Sequence, residues 1–320
     1  MSNQFRIFEV SSDAAQAEEP MGTKQKFWFR HPEMGKCLFK LARLDTGEDW
    51  SEKIAAELAQ LLRLPHAREE LAVWNDRAGT ISPAMLSEKS ALTHGNDVLA
   101  RMVSSYPRDK VYKVSEHTLD IVLRAVGNST VNLPPDWVPP NGITTAVETF
   151  VGYLLLDAWI GNGDRHHENW GFIETIGQST CLSPTYDHAS SLGRELPDSK
   201  RQERIRLSNL SRRLPDSQRK KRIRIHSVEG YTDKAKSAFY ASIGARSPLL
   251  TVEAFNQAAQ RYPKAASIWL KLLSGIEAED VQELFRRIPP ARISPVAIEF
   301  AQQLLTINKG KLLGLQEELL

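Results

Sequence analysis

Apolar residues recur at three- and four-residue spacing through Val147, Phe150, Val151, Leu154, Leu155 and Ala158, which predicts a buried helix running up to Gly161. Gly161 and Gly163 then allow the sharp exit with which such a helix ends. Four further amphipathic segments, residues 251–261, 264–273, 278–287 and 294–307, are separated by Pro and Gly breaks and predict packing helices. The N-terminal part has another rhythm. Residues 26–30 and 37–41 flank a turn at His31-Pro32-Glu33-Met34-Gly35 and predict a β-hairpin, and Val73-Trp74 with Thr80-Ile81 predicts a second strand pair. Residues 5–10 predict an edge strand, and residues 52–62 predict a helix lying on the small sheet. The pattern gives an α+β chain, with a small mainly β lobe over residues 1–90 and a larger mainly α lobe over 91–320. Pro134, Pro135, Pro139 and Pro140 mark an extended loop before the buried helix.

Composition narrows the class. At 320 residues and 41% hydrophobic content the chain can bury a sizeable core in one large domain or two lobes. Cys37 and Cys181 are the only cysteines, 144 positions apart, which excludes a disulfide framework or a cysteine zinc motif and fits a reducing, cytoplasmic setting. Residues 1–20 have no secretory-signal pattern, and the apolar stretch 151–160 is too short for a membrane span and is interrupted by Asp157.

The net charge of +2 is unevenly spread. Residues 199–225 hold eleven Lys or Arg against two acids, a local charge of +9 that leaves the rest of the chain at −7. Such a block could meet nucleic acid, an anionic membrane or an acidic protein, but no aromatic residue interleaves it, so a solvated loop is the expectation. Part of it is duplicated: Leu196-Pro197-Asp198-Ser199-x-Arg201-x-x-Arg204-Ile205-Arg206 recurs eighteen residues later from Leu214 to Arg224. One local duplication falls short of the three or so units a solenoid needs. This insert, residues 196–225, reads either as a tolerated surface duplication or as a regulatory loop offering Ser199, Ser208, Ser211 and Ser217 as phosphorylation sites.

The densest chemistry is the run Gly161-Asn162-Gly163-Asp164-Arg165-His166-His167-Glu168-Asn169, followed by Asp187 eighteen residues after its Asn. Phosphoryl transfer needs a carboxylate to receive the proton of an attacking hydroxyl, and an amide oxygen with a second carboxylate to hold Mg²⁺ against ATP phosphates. Asp164, five positions before Asn169, is the candidate base, and Asn169 and Asp187 are the candidate metal ligands. His166, His167 and His188 leave a zinc hydrolase as a weaker alternative, because adjacent histidines diverge and no HExxH pattern is present.

Here Arg165-His166 follow the Asp, whereas ordinary protein kinases place His-Arg before it. The inverted Asp-Arg-His-x-x-Asn order, with the phrase Asp157-Ala158-Trp159-Ile160-Gly161-Asn162-Gly163-Asp164-Arg165-His166, resembles the HipA-like serine/threonine kinases and, more distantly, the phosphoinositide-kinase-like group. The likeness extends over roughly residues 20–315. Leu38-Phe39-Lys40 resembles the strand bearing the ATP lysine, Glu52 its ion-pair partner, and Pro184-Thr185-Tyr186-Asp187 the metal-binding segment. Gly22, Thr23 and Lys24 resemble the phosphate loop, and His166 joins Lys40, Asn169 and Asp187 in the nucleotide-contacting set. The residues before Gly22 leave no room for the extra N-terminal subdomain usual in HipA toxins, so the expected resemblance is to core-only members, including cell-translocating kinases.

What this implies is a two-lobed kinase using ATP and Mg²⁺ to phosphorylate Ser or Thr of a protein, with autophosphorylation at Thr23 as one form of control. It implies an antitoxin-type partner protein and no direct DNA contact. Lipid or small-molecule kinase activity, or a nucleotide-gated binding protein, stays open on the residues alone.

Overall fold

The computed structural model describes residues 4–14, 17–18, 25–87, 89–177, 179–213 and 221–316. Its N-terminal lobe is built on strands β1 (Ile7–Val10), β2 (Ala17–Glu18), β3 (Lys26–His31) and β4 (Gly35–Leu41), helix α1 (Glu48–Leu61), and strands β5 (Glu70–Trp74) and β6 (Arg77–Pro83). The sheet order is β1-β5-β6-β4-β3-β2, so the expected hairpins are the β3–β4 and β5–β6 pairs, and β1 joins β5 in parallel. Gly35 closes the β3–β4 turn at φ 71°, a backbone geometry that costs glycine no Cβ clash.

The period of two along these strands positions the site. Cys37, Phe39 and Leu41 alternate onto one face, where they meet Phe27, Phe29 and Ile81 in a buried cluster. The intervening Leu38 and Lys40 therefore point to the opposite face, beside their cross-strand partners Trp28, Ser82 and Thr80. Helix α1 covers one end of that face, placing Ile54 and Leu58 in the same core as Leu71. It begins a turn earlier than the sequence expectation, so Glu52 lies in its second turn, buried at 2% exposure.

The second lobe contains strands β7 (Ser90–His94), β8 (Val131–Asn132), β9 (Gly171–Thr175) and β10 (Thr180–Leu182), ordered β7-β9-β10-β8. Its helices are α2 (Gly95–Met102), α3 (Leu119–Val126), α4 (Ala146–Ile160), α5 (Asp198–Arg213), α6 (Lys221–His226), α7 (Val228–Thr232), α8 (Thr251–Arg261), α9 (Pro263–Ser274), α10 (Ala278–Arg287) and α11 (Pro295–Gly314). Helix α4 starts at a capping box, in which Thr145 and Glu148 each satisfy the other's backbone N–H. Every residue of α4 except Glu148 is buried, because α8, α9 and α11 pack around it. Val147, Thr149, Val151, Gly152 and Ile160 are weak helix formers, so tertiary packing holds this helix more than intrinsic propensity does. The Trp159 and Trp269 indoles are fully buried with their N–H groups donated to the Leu305 and Glu148 carbonyls.

Two expectations change. The basic insert is helical where it is described, in α5 and α6, and not a loop; Ile205 and Ser208 are buried, which gives the segment an inward face the charge count obscured. Ser208 donates to Glu229 at 2.6 Å and is closed to modification in this state. Leu214 to Lys220, including Ser217, lie outside the described residues, as do Gly22, Thr23 and Lys24. Among the described residues no helix is long and apolar enough to cross a membrane.

Candidate active site

The end of α4 fixes the loop that follows. Gly161 adopts φ 68°, and the Gly161 and Asn162 N–H groups both reach the Asp157 carbonyl. The Asp157 side chain then gathers the loop from inside the lobe. Its Oδ1 accepts from Asn162 Nδ2 and Arg165 Nη2, each at 2.8 Å, and its Oδ2 accepts from Arg165 Nε. Arg165, 1% exposed, also donates to the Asn169 carbonyl at 3.2 Å. A bidentate guanidinium–carboxylate pair of this kind imposes one geometry on both partners, so Asp157 and Arg165 act as the internal frame of residues 161–169.

Asp164 and Asn169 are held together by that frame. Asn169 Nδ2 donates to the Asp164 carbonyl at 2.6 Å, which turns the amide oxygen away from the loop backbone. The Asp164 carboxylate accepts from Ser190 Oγ at 3.3 Å, while its backbone N–H donates to Asn162 Oδ1 at 3.2 Å. Asp187 has φ 57°, a left-handed conformation that a non-glycine residue adopts only when its surroundings hold it there. The following residue shows the hold: the His188 N–H donates to Glu52 Oε1 at 2.9 Å and His188 Nε2 sits 2.7 Å from Thr185 Oγ1. Burial keeps the His188 ring well below its usual pKa and therefore neutral.

Lys40, Glu69, His94, His166, Glu168, Asn169, Tyr186 and Asp187 converge on one cavity of about 340 Å³ between the lobes. That size accommodates a small-molecule ligand. Leu38, Ala84, Met85, Leu86 and Leu92 give it an apolar wall, and Lys40 stands at the polar end. Lys40 Nζ bonds Glu69 Oε1 at 2.8 Å and lies 3.8 Å from Glu52 Oε1. Burial opposes the Lys40 charge, but the field of Glu52, Glu69 and Asp187 outweighs it and raises the ammonium's pKa. The lysine is therefore a fixed cation. Burial pushes the Glu69 carboxyl upward against the pull of Lys40.

The sequence pairs Lys40 with Glu52, with Glu57 as the alternative; Glu57 bonds Lys53 instead, and Glu69, which the sequence did not single out, is the nearer partner. Its signal was faint: one of two adjacent glutamates at the start of β5, with nothing in the spacing to separate buried Glu69 from half-buried Glu70. Also missed was the His94–Tyr186 pair, whose ring nitrogen and hydroxyl both reach the Glu168 carbonyl, at 2.7 and 2.8 Å, and tie the loop to the Asp187 segment.

The histidines do not form a metal cluster. His167 Nδ1 is 2.8 Å from the Tyr106 hydroxyl and His188 engages Thr185, so the rings face different neighbours. Among the described residues no group of three His, Cys, Asp or Glu could hold an ion. Asn169 and Asp187 offer two oxygen ligands on one cavity wall. A hard cation that completes its shell with phosphate oxygens and water needs no more from the protein, so the residues fit Mg²⁺ bound with a nucleotide.

Asp164 does not line this cavity. It faces a separate open groove of about 530 Å³ on the other side of the loop, beside Ser190, Tyr231 and Lys236. Asp164 also borders a third opening with His166 and His167, and His166 reaches back to the cavity, so the openings adjoin around the loop, with Asn169 lining the cavity and Asp164 the groove.

No protein-family model matches the chain, and no curated protein sequence does. Solved structures do. The crystal structure of the Helicobacter pylori proinflammatory kinase CtkA matches with a TM-score of 0.67 at 15% identity, covering 95% of this chain and 94% of that one. HipA of Shewanella oneidensis MR-1, solved with HipB and operator DNA, matches with a TM-score of 0.57 at 11% identity, covering 95% of this chain and 67% of that one. The chain has the HipA- and CtkA-like kinase fold.

Proposed function

We propose that this protein is an ATP- and Mg²⁺-dependent kinase that transfers the γ-phosphate to a Ser or Thr hydroxyl of a protein, its own chain included. The observation that carries this reading is the division of labour around one loop. Lys40, Asn169 and Asp187 meet in a nucleotide-sized cavity, while Asp164, bonded to Asn169, presents its carboxylate to the groove next door.

In this reading Lys40 contacts the α- and β-phosphates, with Glu69 and Glu52 keeping its ammonium extended into the cavity. Gly22, Thr23 and Lys24 belong to the phosphate loop by resemblance. Asn169 Oδ1 and the Asp187 carboxylate would hold the metal, and His166, which lines both the cavity and the neighbouring opening, would border the phosphates. Bound Mg²⁺ would neutralise charge on the transferring phosphoryl group. Asp164 accepts the proton of the acceptor hydroxyl and orients that hydroxyl toward the cavity. The two lobes meet at Glu52, so closing them sets Lys40 and Asp187 in one movement.

Residues 1–90 then serve as the nucleotide lobe and 91–320 as the lobe of the catalytic loop. The two widely separated cysteines support a reaction in a cytoplasm, its own or that of a cell into which the protein is delivered. A small partner protein that gates activity fits the HipA likeness, since HipA was solved with HipB and operator DNA.

The test is transfer from γ-labelled ATP with Mg²⁺ by wild type, Asp164→Ala and Asp187→Ala, followed by mass spectrometry. Label on a Ser or Thr with wild type alone supports the proposal. Wild type that binds ATP and labels neither itself nor any protein of a cell extract would overturn it.

A further inference from the structure

The groove beyond Asp164 carries a surplus of positive charge that the transfer chemistry does not use. Arg43 and Arg194 stand on its wall, and both bond the buried carboxylate of Glu48. Arg204 adds a third from α5, where its guanidinium lies 5.3 Å from the Tyr231 ring centroid and donates to the Ser227 carbonyl at 3.2 Å. Glu195, the acid at the rim, accepts from the Tyr231 hydroxyl at 2.6 Å.

Lys234 and Lys236 complete the wall. Both are exposed, and among the described residues neither makes an ion pair. The Lys236 backbone also lies against the loop bearing Asp164: a Cβ placed on Gly163 would be 3.0 Å from the Lys236 carbonyl. Arg43, Arg194, Arg204, Lys234 and Lys236 thus stand against Asp164, Glu195 and Glu48, a local excess of cations in a chain whose charge outside residues 199–225 is −7. It also gives one residue of the basic duplicated insert, Arg204, a place in the site.

We propose that this groove selects an acceptor segment carrying Asp, Glu or a phosphorylated residue beside its Ser or Thr, held by Arg204, Lys234 and Lys236 while the acceptor hydroxyl reaches Asp164. The inference rests on the kinase reading above and names the substrate class of that same site. Charge complementarity supplies the argument. Asp164 would repel an acidic segment placed directly on it, and cations flanking it offset that repulsion and fix the register. A basic acceptor would meet like charge along the same wall. The interaction is exposed, so it is screened by salt over a Debye length of about 8 Å at physiological ionic strength.

The experiment compares two Ser peptides, one flanked by Glu and one flanked by Lys, with wild type and Lys234→Glu/Lys236→Glu. Transfer from γ-labelled ATP and direct binding by fluorescence anisotropy without nucleotide are both read at low and high salt, and thermal melting checks the fold of the variant. Wild type is expected to favour the Glu peptide by at least about tenfold in kcat/KM at low salt, with the preference lost or inverted in the charge-reversed protein. Equal use of both peptides, or a preference that survives charge reversal, overturns the inference with the kinase reading intact. Absence of transfer, with tight Glu-peptide binding lost on charge reversal, overturns the kinase reading and keeps the groove's specificity. Transfer to phosphoinositide in anionic vesicles with neither peptide bound overturns both.

Discussion

Glu52 Oε1 accepts the His188 backbone N–H at 2.9 Å and lies 3.8 Å from Lys40 Nζ. One buried oxygen thus links helix α1, strand β4 and the segment bearing Asp187. The arrangement makes Glu52 a positioning residue between the lobes, and Glu69 the direct partner of Lys40.

Replacing Glu52 separates these tasks. Glu52→Ala strands a buried N–H and removes a neighbour of a buried cation, so it should cost roughly 3 kcal/mol in stability by urea denaturation. Glu52→Gln retains an acceptor for His188 and should cost less than half as much, while still weakening ATP use because the carboxylate field on Lys40 is reduced. Equal losses for the two variants would show that the backbone contact is immaterial.

The two compartments predict different defects for the two aspartates. Asp164→Asn should lower kcat by about 10²–10⁴-fold with nucleotide affinity retained, because Asp164 is not among the residues lining the cavity. Asp187→Asn should lose the Mg²⁺-dependent part of nucleotide binding, measured by titration with and without the metal. A large drop in affinity for Asp164→Asn without metal would contradict the assignment.

Arg165 is buried against Asp157, so removing it leaves a carboxylate with no counter-charge inside the lobe. Arg165→Met should destabilise the protein by about 3–5 kcal/mol in denaturant melts. Arg165→Lys should recover only part of this, since a single ammonium cannot reproduce the bidentate contact and the bond to the Asn169 carbonyl together.

Acid sensitivity should come from two buried histidines. Burial pulls His117 down to about 3 and His167 down to about 4. His117 receives the Trp170 indole N–H on Nε2 at 3.1 Å and faces the Ala238 carbonyl through Nδ1 at 3.0 Å, so a second ring proton would oppose a donor with a donor. The folded state refuses protons that the unfolded chain takes up near pH 6.5. Their contribution is therefore complete above about pH 7 and falls as pH drops from about 6.5 toward 3. Melting temperatures recorded across that window should decline, and His117→Gln should flatten the slope while lowering the plateau.

Much of the site could be read along the chain because its parts are local. Asp157, Asp164, Arg165 and Asn169 lie within thirteen consecutive residues, and a helix stop at Gly161 followed by a fixed loop leaves few ways to arrange them. Lys40 was legible for a related reason: strict alternation in β4 sends Cys37, Phe39 and Leu41 inward and leaves Lys40 on the other face. The α8 and α10 boundaries agree with the amphipathic periods for the same cause, a repeat shorter than the element itself.

The rest depended on contacts between distant residues, which no local period encodes. Glu69 became the partner of Lys40 only when β5 and β6 set it across the sheet, 29 positions away, and Glu52 met His188 only when the lobes came together, 136 positions apart. The basic insert looked like solvent-facing loop because charge dominates its composition, yet Ile205 and Ser208 supply a buried side once α7 and α11 are there to receive it. The sequence by itself determined which polar groups the loop carries and the local geometry that holds them. Tertiary structure decided which face of the loop each group serves, because a cavity and a groove exist only where separate segments of the chain close around empty space.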